Sequence, residues 1–200
     1  MKRAFDVTVA LLGLILTSPV MLASALAVKL DSPGPVFYSG PRVGRDGKLF
    51  DIHKVRSMMV GAAEAGPSVT AIGDARVTAA GRFLRRTKID EIPQLWNVLT
   101  GEMSLVGPRP EHPEYLSHFT TEQRRLLAVR PGLTGPAALA FHDEERLLEG
   151  NDPVGAYVNE VLPQKLEIEL AYLKKATFKS DLGILLKTAA LLLRRPFATR

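Results

Sequence analysis

From Val7 to Val28 the chain reads VTVALLGLILTSPVMLASALAV, without one charged residue. This pattern has neither the alternation of a half-buried strand nor the polar stripe of an ordinary amphipathic helix. Its 22 residues would reach about 33 Å as one straight helix, enough to match a hydrocarbon core about 30 Å thick. Ser18-Pro19 falls in the middle, where proline removes an amide donor and crowds the carbonyl four residues earlier. A sharp bend is predicted there, with the Ser18 hydroxyl returning toward the Leu14 carbonyl. Each arm would then extend only about 13 to 18 Å, too short to cross alone. Lys2 and Arg3 precede the segment, and Lys29, Arg42 and Arg45 follow it. Cytoplasmic positions favour such cations, so a helix that enters one leaflet and returns satisfies both ends. A straight span, a cleaved signal peptide ending near Ala23-Ser24-Ala25 and a buried core helix stay open as alternatives.

Beyond Asp31 the pattern shortens. PVFYS and KLFDIHK are strand-like and flank Gly44-Arg45-Asp46-Gly47, a hairpin turn. Residues 65–75 read as a loop, and Thr78 as the cap of a helix ending at Thr87. Asp90 to Leu99 predicts a helix stopped at Gly101, with Ile92, Leu95, Trp96 and Leu99 forming one apolar face. Thr120 and Gln123 make a capping box before TEQRRLLAV. Asp152-Pro153 starts another helix, which Pro163 breaks or restarts. A last helix from about Asp181 to Arg195 carries leucines along one side and only positive charges beyond Asp181. That pattern suits the interface of an anionic membrane as well as it suits a domain core.

Composition narrows the class. With 200 residues, 46% hydrophobic and 24% charged, the chain is too apolar to be disordered and has enough length for a real core. The absence of cysteine excludes a disulfide scaffold, a thiolate metal site and a cysteine nucleophile. A net charge of +5, once the uncharged entry segment is set aside, belongs to a basic, hydrophilic remainder. No nucleic-acid-binding motif accompanies that charge, so nucleic acid is not an expected partner.

The residues best suited to chemistry lie in RFLRRTKIDEIPQLWNVLTGEMSLVGPRP, from Arg82 to Pro110. Arg82, Arg85, Arg86 and Lys88 lead into Asp90-Glu91, and Arg109 is held between two prolines. Guanidinium forks suit phosphate oxygens. Adjacent carboxylates beside cations suit Mg²⁺, which takes one or two carboxylates and completes its shell with water and phosphate. Asp90 at a helix start, among cations, should remain ionised and available as a nucleophile. The same acidic pair also fits a plain helix cap, and the basic run a solvated face. The four histidines lack metal-ligand spacing, and neither GxGxxG nor GxxxxGK[ST] occurs.

The run Lys88-Ile89-Asp90-Glu91-Ile92-Pro93-Gln94-Leu95-Trp96-Asn97-Val98-Leu99, continued by Gly101 to Pro110, resembles the signature of bacterial sugar transferases, the monotopic phosphoglycosyl transferases. Lys2-Arg3, Asp6 and Ser18-Pro19 resemble that family's re-entrant membrane helix. Ser32 to Phe37, Gly40 to Gly44, Lys54 to Met58 and Arg130 to Gly135 continue the likeness over nearly the whole chain.

The resemblance implies transfer of a phosphosugar from a UDP-sugar to polyprenyl phosphate, typically undecaprenyl phosphate, with release of UMP, as the first step of glycoconjugate or exopolysaccharide synthesis. It implies Asp90 as nucleophile, Glu91 as its support, both at a Mg²⁺ site, and Lys54, Arg56, Arg85, Arg86 and Arg109 as phosphate-binding cations. Asp181 matches an acidic position of the family and also reads as a helix start. The expected fold class is α/β, mostly α with short strands: residues 1–30 a re-entrant membrane helix broken at Ser18-Pro19, residues 31–200 a compact cytosolic catalytic domain with interfacial amphipathic helices. The expected location is the cytoplasmic face of a bacterial inner membrane, in contact with lipid, and a homodimer stays open. A membrane-anchored scaffold without turnover is the alternative. One segment departs from the family pattern: where many relatives continue W-A-Q-V-x-G-R, this chain has Pro136 to His142, so the sugar is not specified.

Overall fold

The computed structural model describes residues 1–194. The chain is mostly helical with short strands. Helix α1 (Lys2–Asp31) leads to an antiparallel hairpin of β1 (Phe37–Val43) and β2 (Leu49–Val55), then α2 (Ala79–Thr87) and α3 (Gln94–Thr100). β3 (Ser104–Val106) pairs in parallel with β4 (Gly132–Thr134). Short helices α4 (Pro136–Ala140), α5 (Glu144–Leu147) and α6 (Pro153–Ala156) precede α7 (Leu162–Leu173) and α8 (Phe178–Arg194). Both sheets have two strands, so an α/β layering is absent from the described residues. The expected end of the last helix at Arg195 lies outside them.

α1 is a single helix of 30 residues that continues through Pro19, so Ser18-Pro19 is not a break between two helices. The proline leaves the Ile15 carbonyl without its amide donor. The Ser18 hydroxyl supplies the replacement at 2.7 Å, one residue along from the predicted Leu14. Thr17 adds a bond to the Gly13 carbonyl at 2.7 Å. The uncharged stretch therefore keeps its polar groups satisfied without chain reversal.

Both ends of α1 are tied to the same domain. Arg3 donates to the carbonyls of Val98 and Leu99 at 2.6 and 2.9 Å, satisfying the C-terminal end of α3. Buried Asp6 accepts from Ser104 at 2.8 Å, and Lys2 reaches Asp181 of α8 at 2.7 Å. At the far end Val28 packs with Val55 and Leu84, and Asp31 accepts from the Ala80 amide at 3.0 Å. Between these anchors one side of α1 packs on the domain through Ala10 and Gly13, and the other is exposed: Leu16 is 76% and Leu22 74% accessible.

The expected face of α3 is met in part: Leu95 and Leu99 are half-buried against the core, while Trp96 stands 55% exposed. The fully buried positions are Gln94, Asn97 and Val98. Asn97 accounts for the polar interior. It donates to the Asp51 carbonyl and to Glu102, both at 2.8 Å, and accepts from the His53 amide at 3.0 Å. A buried amide with its groups satisfied docks α3 on β2 with defined register. Leu95 packs against α1 at Gly13, where an added Cβ would lie 2.9 Å from a Leu95 methyl. The last helix follows the same rule: Ile184 is buried, whereas Leu186 and Leu193 face outward.

Other local signals match their structures. Thr78 accepts from the Gly81 amide at 3.0 Å, and Asp152 accepts from that of Gly155 at 2.8 Å. The Thr120–Gln123 capping box forms reciprocally, but it opens a 3₁₀ turn, Gln123–Ala128, instead of an α-helix. Pro163 does not break its helix; a π-helical stretch, Tyr157–Val161, carries α6 into α7 just before it.

Candidate active site

Asp90 and Glu91 occupy a 3₁₀ turn, Ile89–Glu91, between the end of α2 and the start of α3. α2 ends because Lys88 adopts the left-handed conformation, φ 59°, and α3 starts only after Pro93. The acidic pair is thus displaced from the helix-cap position predicted for it. The tight turn sends the two side chains to different partners.

Glu91 collects the cations. Lys54 of β2 reaches its Oε1 at 3.1 Å, and Arg109 reaches the same oxygen at 2.7 Å. Although burial opposes ionisation, Arg109 and Lys54 hold the Glu91 carboxyl well below the usual glutamate range. The Arg109 guanidinium is correspondingly pushed up, chiefly by Glu91.

Asp90 is 4% accessible, and its Oδ1 is buried without a hydrogen-bond partner. Burial raises its pKa, with Lys54 the main opposing influence. Burial thus works against the ionisation expected of Asp90, while Lys54, Lys88 and Arg85 favour it. A desolvated carboxylate oxygen with an open lone pair is a stronger nucleophile and a stronger cation ligand than one already paired.

Arg109 is placed by backbone close packing. Gly107 donates to the Thr134 carbonyl at 3.0 Å, and Gly132 to that of Pro108 at 2.8 Å. An added Cβ on Gly107 would meet the Arg130 carbonyl oxygen at 2.6 Å, and one on Gly132 the Gly107 nitrogen at 2.2 Å. No larger residue fits either point. The loop 107–110 is clamped, and Arg109 projects from it between prolines.

The remaining predicted residues separate. Arg85 is near enough to influence Asp90 and is itself paired with Glu145 at 2.6 Å. Arg86 lies exposed on the same turn of α2. Arg56 is not brought to the acidic pair. It is 5% accessible and donates to the Ser32 and Pro33 carbonyls, holding the turn after α1. Asp181 is likewise elsewhere, accepting from Tyr172 at 2.6 Å and pairing with Lys2. Its role is to join α8 to α1.

A second buried network lies behind Arg109, and nothing in the sequence patterns marked it. Lys165 pairs with Glu111 and Glu144, both at 3.0 Å, and donates to the Tyr157 hydroxyl at 2.8 Å. Glu111 sits two residues after Arg109, the one proximity signal available. Lys165 and Glu169, four apart on α7, read in sequence as an ordinary solvated helix pair, yet both are buried.

Among the described residues no group of three or more histidine, aspartate or glutamate side chains is arranged for a metal. Asp90 and Glu91 supply two adjacent carboxylates, one with an unpartnered oxygen. This fits Mg²⁺ in the presence of phosphate, since Mg²⁺ keeps several non-protein ligands.

Comparison with known proteins extends this picture. The family described as bacterial sugar transferase matches residues 1–195. The chain is 42% identical over 197 residues to the UDP-glucose:undecaprenyl-phosphate glucose-1-phosphate transferase of Caulobacter vibrioides, covering 96% of this chain and 69% of that protein. It is 39% identical to the Escherichia coli K12 protein of the same name, covering 94% of this chain and 39% of that protein. It is 36% identical to the UDP-N-acetylgalactosamine-undecaprenyl-phosphate N-acetylgalactosaminephosphotransferase of Aeromonas hydrophila, covering 94% of this chain and 42% of that protein. The chain thus spans less than half the length of two of these relatives.

Proposed function

This chain belongs to the bacterial sugar transferase family, and from that premise we propose that it transfers a phosphosugar from a UDP-sugar to undecaprenyl phosphate, releasing UMP. The observation that carries the reading is the division of labour between neighbours: Glu91 holds Lys54 and Arg109, while Asp90 keeps a buried oxygen free. The relatives named above act on a UDP-sugar and undecaprenyl phosphate.

In the first step an Asp90 carboxylate oxygen attacks the phosphorus that bears the sugar. The bond from that phosphorus to the bridging oxygen breaks, and UMP leaves with the bonding pair. This yields a phosphosugar-aspartyl intermediate. In the second step a phosphate oxygen of undecaprenyl phosphate attacks the same phosphorus. The aspartyl–phosphorus bond breaks, the Asp90 carboxylate is restored, and the product is a sugar linked to the lipid by a diphosphate. Phosphoryl transfer depends mainly on positioning and charge stabilisation. Lys54 and Arg109 provide fixed positive charge beside the nucleophile, and Glu91 fixes their direction. Mg²⁺, held by Asp90 and Glu91, would neutralise the diphosphate and ease UMP departure.

The acceptor is a lipid, and its phosphate lies at headgroup depth. Both ends of α1 return to the domain that carries Asp90, through Arg3 and Asp6 at one end and Val28 and Asp31 at the other. Leu16, Leu22, Trp96, Leu186 and Leu193 are exposed, which supports α1, α3 and α8 as a lipid-facing surface. On this reading the protein lies in the cytoplasmic leaflet of the inner membrane without crossing it. UMP release should be screened with undecaprenyl phosphate, Mg²⁺ and several UDP-sugars. Turnover with one or more supports the reading. A chain that binds membranes yet turns over none is the scaffold alternative.

A further inference from the structure

Beside Arg109, a recess of about 30 Å³ opens between the 108–111 loop, α4 and α7. Its wall is apolar at Phe119, Leu126 and Leu166, and polar at Arg109, Glu111, Lys165 and Glu169. Lys165 is already paired with two carboxylates, and Glu111 accepts from both Lys165 and Tyr157. Glu169 differs. It is 3% accessible, its Oε1 accepts the Ala137 amide at 3.2 Å, and its Oε2 is buried without a partner. Orphaned polar atoms at such depth are uncommon in folded proteins and carry a penalty that a bound group can relieve.

The shape and charge of the recess limit that group. The volume takes one or two water-sized groups, so a whole ring is excluded. The cations of the wall are already paired, Lys165 with Glu111 and Glu144 and Arg109 with Glu91, so a phosphate oxygen gains little there, and a carboxylate oxygen needs a donor. A hydroxyl meets every condition. Room for the carboxyl comes from Gly135, where an added Cβ would lie 2.9 Å from Glu169 Oε1. The Ala137 amide that orients Glu169 belongs to the Pro136 to His142 segment, where the chain departs from the pattern it otherwise resembles. We propose that this recess reads the donor's sugar, with the Glu169 carboxyl bonding one sugar hydroxyl; this rests on the transferase reading and deepens it. Glu169 is then a specificity-determining residue, while Asp90 performs the chemistry. Burial also raises the Glu169 pKa to about 7, so near neutrality the group is present in both protonation states and can accept from or donate to a hydroxyl.

The test uses the full chain in lipid nanodiscs with undecaprenyl phosphate, scoring kcat/KM for UDP-glucose, UDP-galactose and their N-acetylated counterparts. For Glu169→Gln the ratio of the best donor to its epimer should change about tenfold or more, with UMP inhibition unchanged. A uniform fall across all donors, or an equal weakening of UMP inhibition, assigns Glu169 to structure or to the ribose and overturns the proposal. Monodeoxy UDP-sugars supplied to the unaltered chain give a second arm independent of folding. One position should lose at least about tenfold in kcat/KM, and no loss at any position overturns the proposal. If the unaltered chain turns over no UDP-sugar, it is the transferase reading that fails.

Discussion

Arg109 lies 2.7 Å from Glu91 Oε1, the same oxygen that Lys54 approaches at 3.1 Å. Both cations bond to Glu91, and Lys54 acts on Asp90, one residue earlier, only through its field. Neutralising the two acidic residues should therefore have opposite structural consequences. Asp90→Asn removes a desolvated charge that no hydrogen bond compensates at Oδ1, so it should abolish turnover while leaving stability equal or raised. Glu91→Ala leaves two half-buried cations unpaired and should cost on the order of 2 kcal/mol, a fall of roughly 5 °C in thermal midpoint. Thermal unfolding of both variants in detergent distinguishes the two.

The Asp90 pKa is raised by burial, and attack requires the deprotonated form. Activity should be complete above the folded pKa and fall as pH drops through it. The acidic limb of kcat/KM, which reports the free enzyme, should lie above the ordinary aspartate range. Glu91 should contribute no limb near neutrality because its pKa moves downward. A limb at or below the ordinary aspartate value of 3.8 would contradict the assignment.

Glu169 imposes a pH dependence on stability. Its folded pKa of about 7 exceeds the reference 4.5, so the folded state retains a proton that the unfolded state has lost. Stability from this group is fully present below about pH 4.5 and declines as pH rises through 7, by on the order of 3 kcal/mol. Glu91 and Glu111 shift downward, so their contribution is present above 4.5 and lost below it. The windows do not overlap. Urea midpoints between pH 5 and 7.5 should fall less steeply for Glu169→Gln than for the unaltered chain.

The tethering of both α1 ends predicts a topology. The chain has no native cysteine, so single cysteines at exposed Ala4 and Lys48 can be labelled selectively. Both should react from the cytoplasmic face of intact vesicles, and protection of Ala4→Cys alone would mean that α1 crosses. Trp96→Glu should reduce membrane retention without loss of soluble folded protein, because Trp96 contributes little to the core.

Local chemistry was readable in the sequence where a single residue acts on its own backbone. Thr78, Asp152 and Gly101 cap their helices as the pattern predicts. The hairpin turn at Arg45–Gly47 forms between the two strand-like segments. Sidedness was not readable. The apolar stripe of α3 predicts a core face, and Leu95 and Leu99 do pack on the core, but Trp96 turns outward and Gln94 and Asn97 take interior positions. Asp90, Glu91, Lys54 and Arg109 were identifiable from charge and the signature run. Their pairing was not, because it depends on a 3₁₀ turn that separates consecutive side chains. Arg56 and Asp181 carry charge that suits a site, but in the structure they pair with the turn after α1 and with Lys2. Glu169 lacked any signal, since its burial arises from α4 and the Gln123–Ala128 turn packing on α7 rather than from its neighbours in sequence.

The central claim is that Asp90 forms a covalent bond with the phosphosugar. The direct measurement incubates the full chain with Mg²⁺ and a UDP-sugar labelled in the sugar, without acceptor, followed by rapid denaturing quench and mapping of the label. The expected result is one phosphosugar per active site, carried on Asp90, with an equal burst of UMP, discharged on adding undecaprenyl phosphate and absent from Asp90→Asn. Steady turnover with acceptor but no labelled chain and no burst without it would contradict the account.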